Sequence, residues 1–383
     1  MRFTLPQFKP IVLNHKKFFN TLDTTLFEYE LPESAIAQVP VEKRGESRLL
    51  VINRQTGKTE DHQFRDLPEL LPKPCSLFRN NATVLKARLY ARRPHGGKVE
   101  CLLLHPTNNP NVWWCLIKPA RKLPPGSTFG SEGQYQATVL DKKQSGECRV
   151  EIIPEIDESI LQLTERIGVI PLPPYIHRNR DDSNKTLDIQ RYQTVYADPK
   201  KKVAAAAPTA GLHFTPAILD LLEKNGTKSY DLTLHVGLDT FRPIATGTIE
   251  DHLIHKEFYE VPAETCRAIH SAPSGSRLAV GTTSLRTLED YSLKIDGSNP
   301  DSLSLEKDFH SEADIFIYPP ATFSTTDLLL TNFHLPRSTL LCLVAAFLTP
   351  GEIEGIKWLK AIYSGAIEKG YRFYSYGDAM LVL

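Results

Sequence analysis

The sequence predicts an α/β protein: a mixed sheet with flanking helices, plus an inserted small β-barrel domain. Three observations carry this. Strands and helices alternate after residue 156, as packed α/β layers require. Residues 76–155 hold several strand-like stretches with no helical period between them, the mark of a small barrel. A length of 383 residues suffices for two domains. The expected division is an N-terminal extension over 1–20, a discontinuous α/β catalytic domain over 21–75 and 156–383, and the barrel over 76–155.

In chain order, PESAIAQ reads as a short helix, SRLLVIN as a strand, and Gln55-Thr56-Gly57 as a turn. The barrel strands are expected in SLFRNNATVLKARLYA, KVECLLLH, VWWCLIKPA, YQATVLD and CRVEIIP, divided at His95-Gly96-Gly97, Asn108-Asn109-Pro110 and Pro125-Gly126. ESILQLTERIG makes a short helix ending at Gly168, and VAAAA a strand. PAILDLLEKNG is a helix with Thr215 at its N-cap, Pro216 in its first turn and Gly226 beyond its end. TLHVG, RLAVG and IFIYP read as strands, with a helix from Leu285. TLLCLVAAFL at 339–348 is too short to span a bilayer and reads as a buried helix. Thr349-Pro350 opens a last helix through Lys369, with Ile353, Ile356, Leu359 and Ile362 on one face. RFYSYGDAMLVL closes the chain as a strand. On that strand Arg372 and Asp378 stand about 20 Å apart, out of ion-pair range, so Asp378 needs another partner or a ligand.

Composition narrows the function. Lysine plus arginine number 45, as do aspartate plus glutamate, so the formal net charge is zero. A protein that grips nucleic acid through many phosphates is thereby disfavoured, while local contact with one RNA is not. The six cysteines are widely spaced with no C-x-x-C pair, which suits a reducing cytosol and neither a zinc knuckle nor a disulfide framework. The first twenty residues lack an apolar run of signal-peptide length, so a soluble, cytoplasmic protein is expected.

In open α/β sheets, ligands gather beyond the carboxyl ends of strands. Four corners fit: APTAGLHFTP (207–216), HVGLDTFRP (235–243), VGTTSLR (280–286) and TNFHLPRST (331–339). Each mixes small residues, hydroxyls and a basic group. Glycine admits close backbone approach, and free N–H groups at a helix start favour an anion. VGTTSLR is the cleanest nest, with Gly281, Thr282, Thr283 and Ser284 preceding Arg286; Thr209 and Gly211 belong to the first corner. Turn and cap chemistry explains any one corner alone; four of one composition suggest a cleft.

His213, His235 and His334 each occupy a corner, and an imidazole suits proton transfer near neutrality. Structural hydrogen bonding is the competing reading for each. His252-x-x-His255-x-Glu257 invites a metal but has neither the zincin pattern nor a third ligand, so no metal is expected. There is no G-x-G-x-x-G after a strand and no Walker sequence, so neither a Rossmann cofactor nor a nucleoside triphosphate is indicated. In the barrel, Lys86, Arg88 and Lys98, with Arg92, Arg93 and the nearby Trp113-Trp114, suggest RNA contact; a solvated hairpin over core tryptophans is the alternative.

Taken together, AAPTAGLHFT, TLHVGLDTFRP, DHLIHKEFYEV, AVGTTSLRTLE, LLLTNFHLPRSTLL and YRFYSYGDAMLV resemble the S-adenosylmethionine:tRNA ribosyltransferase-isomerases of queuosine synthesis. FEYELPESAIAQVP, SRLLV, GGKVECLLL and PLPPYI with RYQTVYA match as well, from about residue 27 to the C-terminus. The resemblance implies a consumed S-adenosylmethionine and a tRNA whose wobble base is 7-aminomethyl-7-deazaguanine. The ribosyl group is transferred and isomerised to give epoxyqueuosine, and adenine and methionine leave. It also implies an α/β domain with an inserted barrel, and a monomer is expected.

The implied tasks are these. His213 or His334 removes the C5′ proton acidified by the sulfonium, with His235 a further imidazole of the cleft. The 281–284 nest holds the methionine carboxylate, with Arg286 as a further contact. Asp378 or Glu257 holds the cationic sulfur or amine. Departures from the family pattern are Asn80-Asn81-Ala82-Thr83-Val84 for N-D-T-R-V, Gly237-Leu238-Asp239-Thr240-Phe241 for G-x-G-T-F, and Pro319-Pro320-Ala321-Thr322-Phe323 for P-G-Y-x-F. Those changes leave a non-catalytic tRNA-binding relative as the first rival; a metal-dependent hydrolase using His252 and His255 is the second.

Overall fold

A computed structural model describes residues 21–143, 145–178, 184–237, 243–296 and 305–383. The expected N-terminal extension and residues 238–242 of the second corner, Asp239 among them, lie outside the described residues.

The strands in chain order are β1 (Arg48–Ile52), β2 (Thr59–Gln63), β3 (Cys75–Asn80), β4 (Thr83–Val84), β5 (Arg88–Arg92), β6 (Lys98–Pro106), β7 (Val112–Lys118), β8 (Thr128–Ser131), β9 (Tyr135–Lys142), β10 (Cys148–Pro154), β11 (Lys202–Ala204), β12 (Thr227–Leu234), β13 (Glu257–Val261), β14 (Arg277–Val280), β15 (Phe309–Ala313), β16 (Leu328–Asn332) and β17 (Ala379–Val382). The α-helices are α1 (Leu67–Leu70), α2 (Ile160–Ile167), α3 (Lys185–Arg191), α4 (Pro216–Lys224), α5 (Ala263–Ser271), α6 (Thr282–Asp296), α7 (Thr339–Leu348) and α8 (Gly355–Glu368). Nine strands form one mixed sheet in the order β15-β13-β12-β3-β14-β16-β17-β1-β2, and β10-β7-β6-β5-β8-β9 close into a barrel. β4 and β11 pair in parallel between the two bodies.

Helix ends follow the local chemistry. Ser159 and Gln162 form a capping box at the start of α2, and Gly168 caps its end. The Thr215 side chain accepts from Ile218 N at the start of α4. α7, apolar all round, is buried from Leu341 to Leu348.

Several expectations change. Residues 76–80, expected to open the barrel, lie in β3 at the centre of the large sheet, paired in parallel with β12 and β14. Leu77 and Phe78 are both fully buried, and a strand covered on both faces cannot be assigned to a sheet by its period. VAAAA is a strand only to Ala204, and PESAIAQ holds just a 3₁₀ turn at Glu33–Ala35. IFIYP makes no strand: its carbonyls serve other groups, Ile315 O accepting from Arg286 Nε and Tyr318 O from Ala321 N. The last helix begins at Gly355, so Ile353 precedes it and is exposed.

The largest correction concerns the C-terminus. Only Ala379–Val382 is strand; before it the backbone reverses, with Tyr374 at φ 71° and Gly377 N donating to Tyr374 O at 2.9 Å. Any side chain at Gly377 would collide with the backbone of Arg372 and Phe373. Arg372 and Asp378 are therefore neighbours: Asp378 Oδ2 accepts from Arg372 N at 2.8 Å, and Oδ1 lies 3.7 Å from Arg372 Nη2. The 20 Å separation expected of a continuous strand does not exist.

β12, β3, β14 and β16 run in parallel, so the chain leaves them at one edge of the sheet. β17 enters beside Asn332 at that same edge, because it is antiparallel to β16.

Candidate active site

Three of the four corners meet there through direct contacts. Thr209 Oγ1 donates to Asn332 Oδ1 at 2.8 Å, joining the first corner to the fourth. The space beside Gly281 opens onto Ala210, joining the third. Pro243 and Gly237, which flank the undescribed part of the second corner, line the cleft that lies alongside.

His213 sits inside this junction, stacked on Phe64 with ring centroids 5.0 Å apart. Asn332 Oδ1 is taken by Thr209, so its Nδ2 faces His213 Nε2 at 3.1 Å and can only donate. Nε2 is then the acceptor, and the proton rests on Nδ1, 2.6 Å from Ser47 Oγ. Burial, reinforced by Arg372, Arg44 and Arg191, pushes the His213 pKa down to about 3. His213 is a neutral imidazole with both nitrogens engaged.

His334 is also buried, its Nε2 2.7 Å from Thr331 Oγ1. Its backbone is held at both ends, N–H on the Tyr363 hydroxyl and carbonyl accepting from Tyr29. Burial lowers its pKa to about 3. Asp378 is 2% exposed and accepts from the backbone N–H groups of Arg48 and Arg372.

At the third corner the chain turns directly from β14 into a helix. Gly281 has φ 88°, a conformation that penalises other residues, and α6 begins at once at Thr282, three residues earlier than expected. Thr282 and Thr283 line the cleft, whereas Ser284 turns inward to donate to Val280 O. Arg286 is occupied: it pairs with Glu257 at 2.7 Å and donates to the carbonyls of Ile315, His255 and Ala313. Glu257 in turn accepts from Gly237 N. At Gly211 a side chain would strike the Tyr196 hydroxyl, so the glycine serves close packing.

The cleft itself has a volume of about 1420 Å³ between barrel and sheet. Leu103, His105 and Trp113 form its barrel wall; His235, Phe258, Thr282, Thr283 and Arg286 stand on the other. Single small-molecule sites need roughly 300–1,000 Å³, so this one has room for a cofactor-sized molecule and a base together. His235 is exposed within it, and burial lowers its pKa, opposed by Glu260 and aided by Lys201. It is thus the most exposed of the three corner histidines.

His105 and Phe258, which sequence reasoning did not select, join the cleft because a barrel strand and a sheet strand face each other, and no local pattern announces that. His252 and His255 line it too, on a segment that is neither helix nor strand, so they do not share a helix face. Among the described residues no group of three or more His, Cys, Asp or Glu side chains is arranged to hold a metal ion, and no helix is long and apolar enough to cross a membrane.

The basic residues expected to meet RNA divide. Lys86 pairs with Glu165 at 3.3 Å and Arg88 with Glu100 at 3.2 Å, whereas Lys98 is exposed at the edge of the barrel. The departures in the Asn80–Val84 stretch are satisfied internally. Asn80 Oδ1 accepts from Ala82 N, Asn81 Oδ1 from Thr233 Oγ1, and Thr83 Oγ1 donates to Asp198 O.

A protein-family model described as queuosine biosynthesis protein matches residues 24–382. The chain belongs to the queuosine biosynthesis family. Among its relatives, the S-adenosylmethionine:tRNA ribosyltransferase-isomerase of Thermotoga maritima is 41% identical over 359 residues, 93% of this chain and 98% of the relative. The protein of the same name from Natranaerobius thermophilus is 42% identical over 361 residues with the same coverage. The crystal structure of the S-adenosylmethionine tRNA ribosyltransferase from Thermotoga maritima aligns with a TM-score of 0.50 at 33% identity, covering 94% of this chain and 100% of that one. The queuosine-family match spans both the sheet and the barrel, so both walls of the cleft lie within it.

Proposed function

We propose that the chain transfers and isomerises the ribosyl group of S-adenosylmethionine onto 7-aminomethyl-7-deazaguanine at the tRNA wobble position. The products are epoxyqueuosine, adenine and methionine, and one proton is released when the sum is balanced, with no oxidant or reductant needed. The observation that carries the reading is the family match over both bodies that wall the cleft.

The residues divide the work as follows. His235 takes a proton, since its imidazole is exposed to the cleft and held neutral by burial. The first turn of α6, with Thr282 and Thr283 behind Gly281, receives the methionine carboxylate. Arg286 shapes this wall through Glu257 without presenting an open fork. His213, locked between Ser47 and Asn332, positions Thr209; His334 and Asp378 hold the fourth corner and the C-terminal reversal beside it. S-adenosylmethionine is a consumed substrate here, and no metal is assigned.

The test is direct. Incubated with S-adenosylmethionine and tRNA carrying the aminomethyl base, the protein should release free adenine. Binding of both without release would identify the non-catalytic relative and overturn the reading.

A further inference from the structure

We propose that Arg44 and Arg191 form an oxyanion site that holds a phosphodiester of the tRNA, on the α/β body and not on the barrel. The proposal rests on the ribosyltransferase reading for the identity of the RNA.

Several buried or half-buried arginines of this protein are matched to carboxylates, whereas Arg54 donates only to carbonyls. Arg79 pairs with Asp231, Arg178 with Asp188 and Arg277 with Asp327, each within 3 Å. Among the described residues Arg44 and Arg191 also lack a carboxylate partner, and unlike Arg54 they lie beside each other. Arg44 donates to the carbonyls of Gln193, Gln190 and Arg191, and Arg191 to those of Glu42 and Val41. Among the described residues, neither has a carboxylate within 4.0 Å. Asp188, the acid nearest in sequence to Arg191, is spent on Arg178 and the Tyr376 hydroxyl.

The two side chains hold each other's backbone segments, so both full charges are fixed together, half-buried and still reached by solvent. Both guanidiniums are pushed below the usual arginine range by burial, and Arg44 is pushed further by Arg191. An anion placed between them relieves that repulsion.

A second observation falls on the same segment. Thr194, 5% exposed, buries its Oγ1 with no hydrogen-bond partner among the described residues, and the Tyr196 hydroxyl beside Gly211 is likewise unpartnered. Carbonyl-bonded guanidiniums keep their charge but have part of their fork occupied, so they act as fixed charges. A phosphate running past suits such a pair. Lys86 and Arg88 of the barrel are already neutralised by Glu165 and Glu100.

The experiment measures binding of the wild-type protein, R44Q, R191Q and R191K to the tRNA anticodon stem-loop across salt concentration. Each charge-removing variant should flatten the slope of log K against log salt by about one, and R191K should keep the wild-type slope. A second measurement needs no variant: the stem-loop should protect Arg44 and Arg191 from an arginine-specific reagent, read by mass spectrometry, whereas S-adenosylmethionine alone should not. Unchanged slopes with unprotected arginines overturn the proposal. Protection by S-adenosylmethionine alone also overturns it, by assigning the charges to the methionine carboxylate. Adenine release by the wild type is scored separately, so failure of this site is distinguishable from failure of the enzymatic reading.

Discussion

A histidine acts as a base only when a lone pair can reach the substrate, and the three corner histidines differ on that count. His213 has spent both nitrogens, whereas His235 opens into the cleft. His235→Ala should therefore lower the rate of adenine release about 100-fold or more, with the fold intact; a rate within a few-fold of wild type would remove His235 from the chemistry. A base must be unprotonated, and its pKa here lies below the ordinary histidine value, so activity should fall only on the acid side of about 6.5. The buried pair leaves a different trace. Folded His213 and His334 resist protonation down to about 3, whereas the unfolded chain binds those protons near 6.5. Their contribution to stability is complete above the unfolded value and is lost as pH falls from there. The slope is about 1.4 kcal/mol per pH unit for each histidine. Urea midpoints across that acid range should show it, and His213→Gln should remove one histidine's share; an unchanged slope would mean that His213 is solvated.

Elements differ in how much of their making is local. The α2 and α4 helices were legible because Ser159, Thr215 and Gly226 carry cap chemistry within a few residues of the ends they set. Gly281 belongs with these, since a strand, a glycine and hydroxyls spell the turn into α6. What failed needed distant information. β3 reads like a barrel strand until β12 and β14 flank it in the large sheet, and the 372–378 reversal depends on Arg48 N and Arg372 N converging on Asp378. The corner composition pointed to this edge of the sheet, but only the fold separates Thr283, in the cleft, from Ser284, turned inward. One prediction belongs here. Gly281→Ala forces a side chain into the left-handed region, where there is space but the wrong backbone preference. It should cost about 1–2 kcal/mol of stability in chemical denaturation, and it should raise the KM for S-adenosylmethionine by tilting the first turn of α6. Loss of stability with an unaltered KM would detach the nest from the carboxylate.

The cleft exists only because barrel and sheet stand face to face, so whatever sets their spacing sets the site. Two kinds of bond hold α2, whose Ile160 and Leu163 lie in the barrel core, at this junction. Arg88 at the start of β5 exchanges backbone hydrogen bonds with Val169 just beyond α2, at 3.1 and 2.9 Å, and these are indifferent to salt. Beside them, Glu165 of α2 bridges Lys86 on the barrel side at 3.3 Å and Lys202 of β11 at 2.9 Å, with its carboxylate 40% exposed. Both lysines hold the Glu165 pKa below its ordinary value despite the opposing effect of burial. Exposed pairs of this kind contribute about 0–1 kcal/mol to stability, so Glu165→Gln should move Tm by only a few degrees. Its effect on the site should be larger in kind. Glu165 and Lys202 line the cleft, and removing the shared carboxylate leaves the like charges of Lys86 and Lys202 facing each other where α2 of the barrel side meets the β4–β11 pair. The expected outcome is a KM for S-adenosylmethionine raised several-fold at nearly constant kcat, because the walls move apart while the groups on each wall stay in place. A loss confined to kcat would show instead that the bridge acts on the reacting groups and not on the spacing between the two bodies.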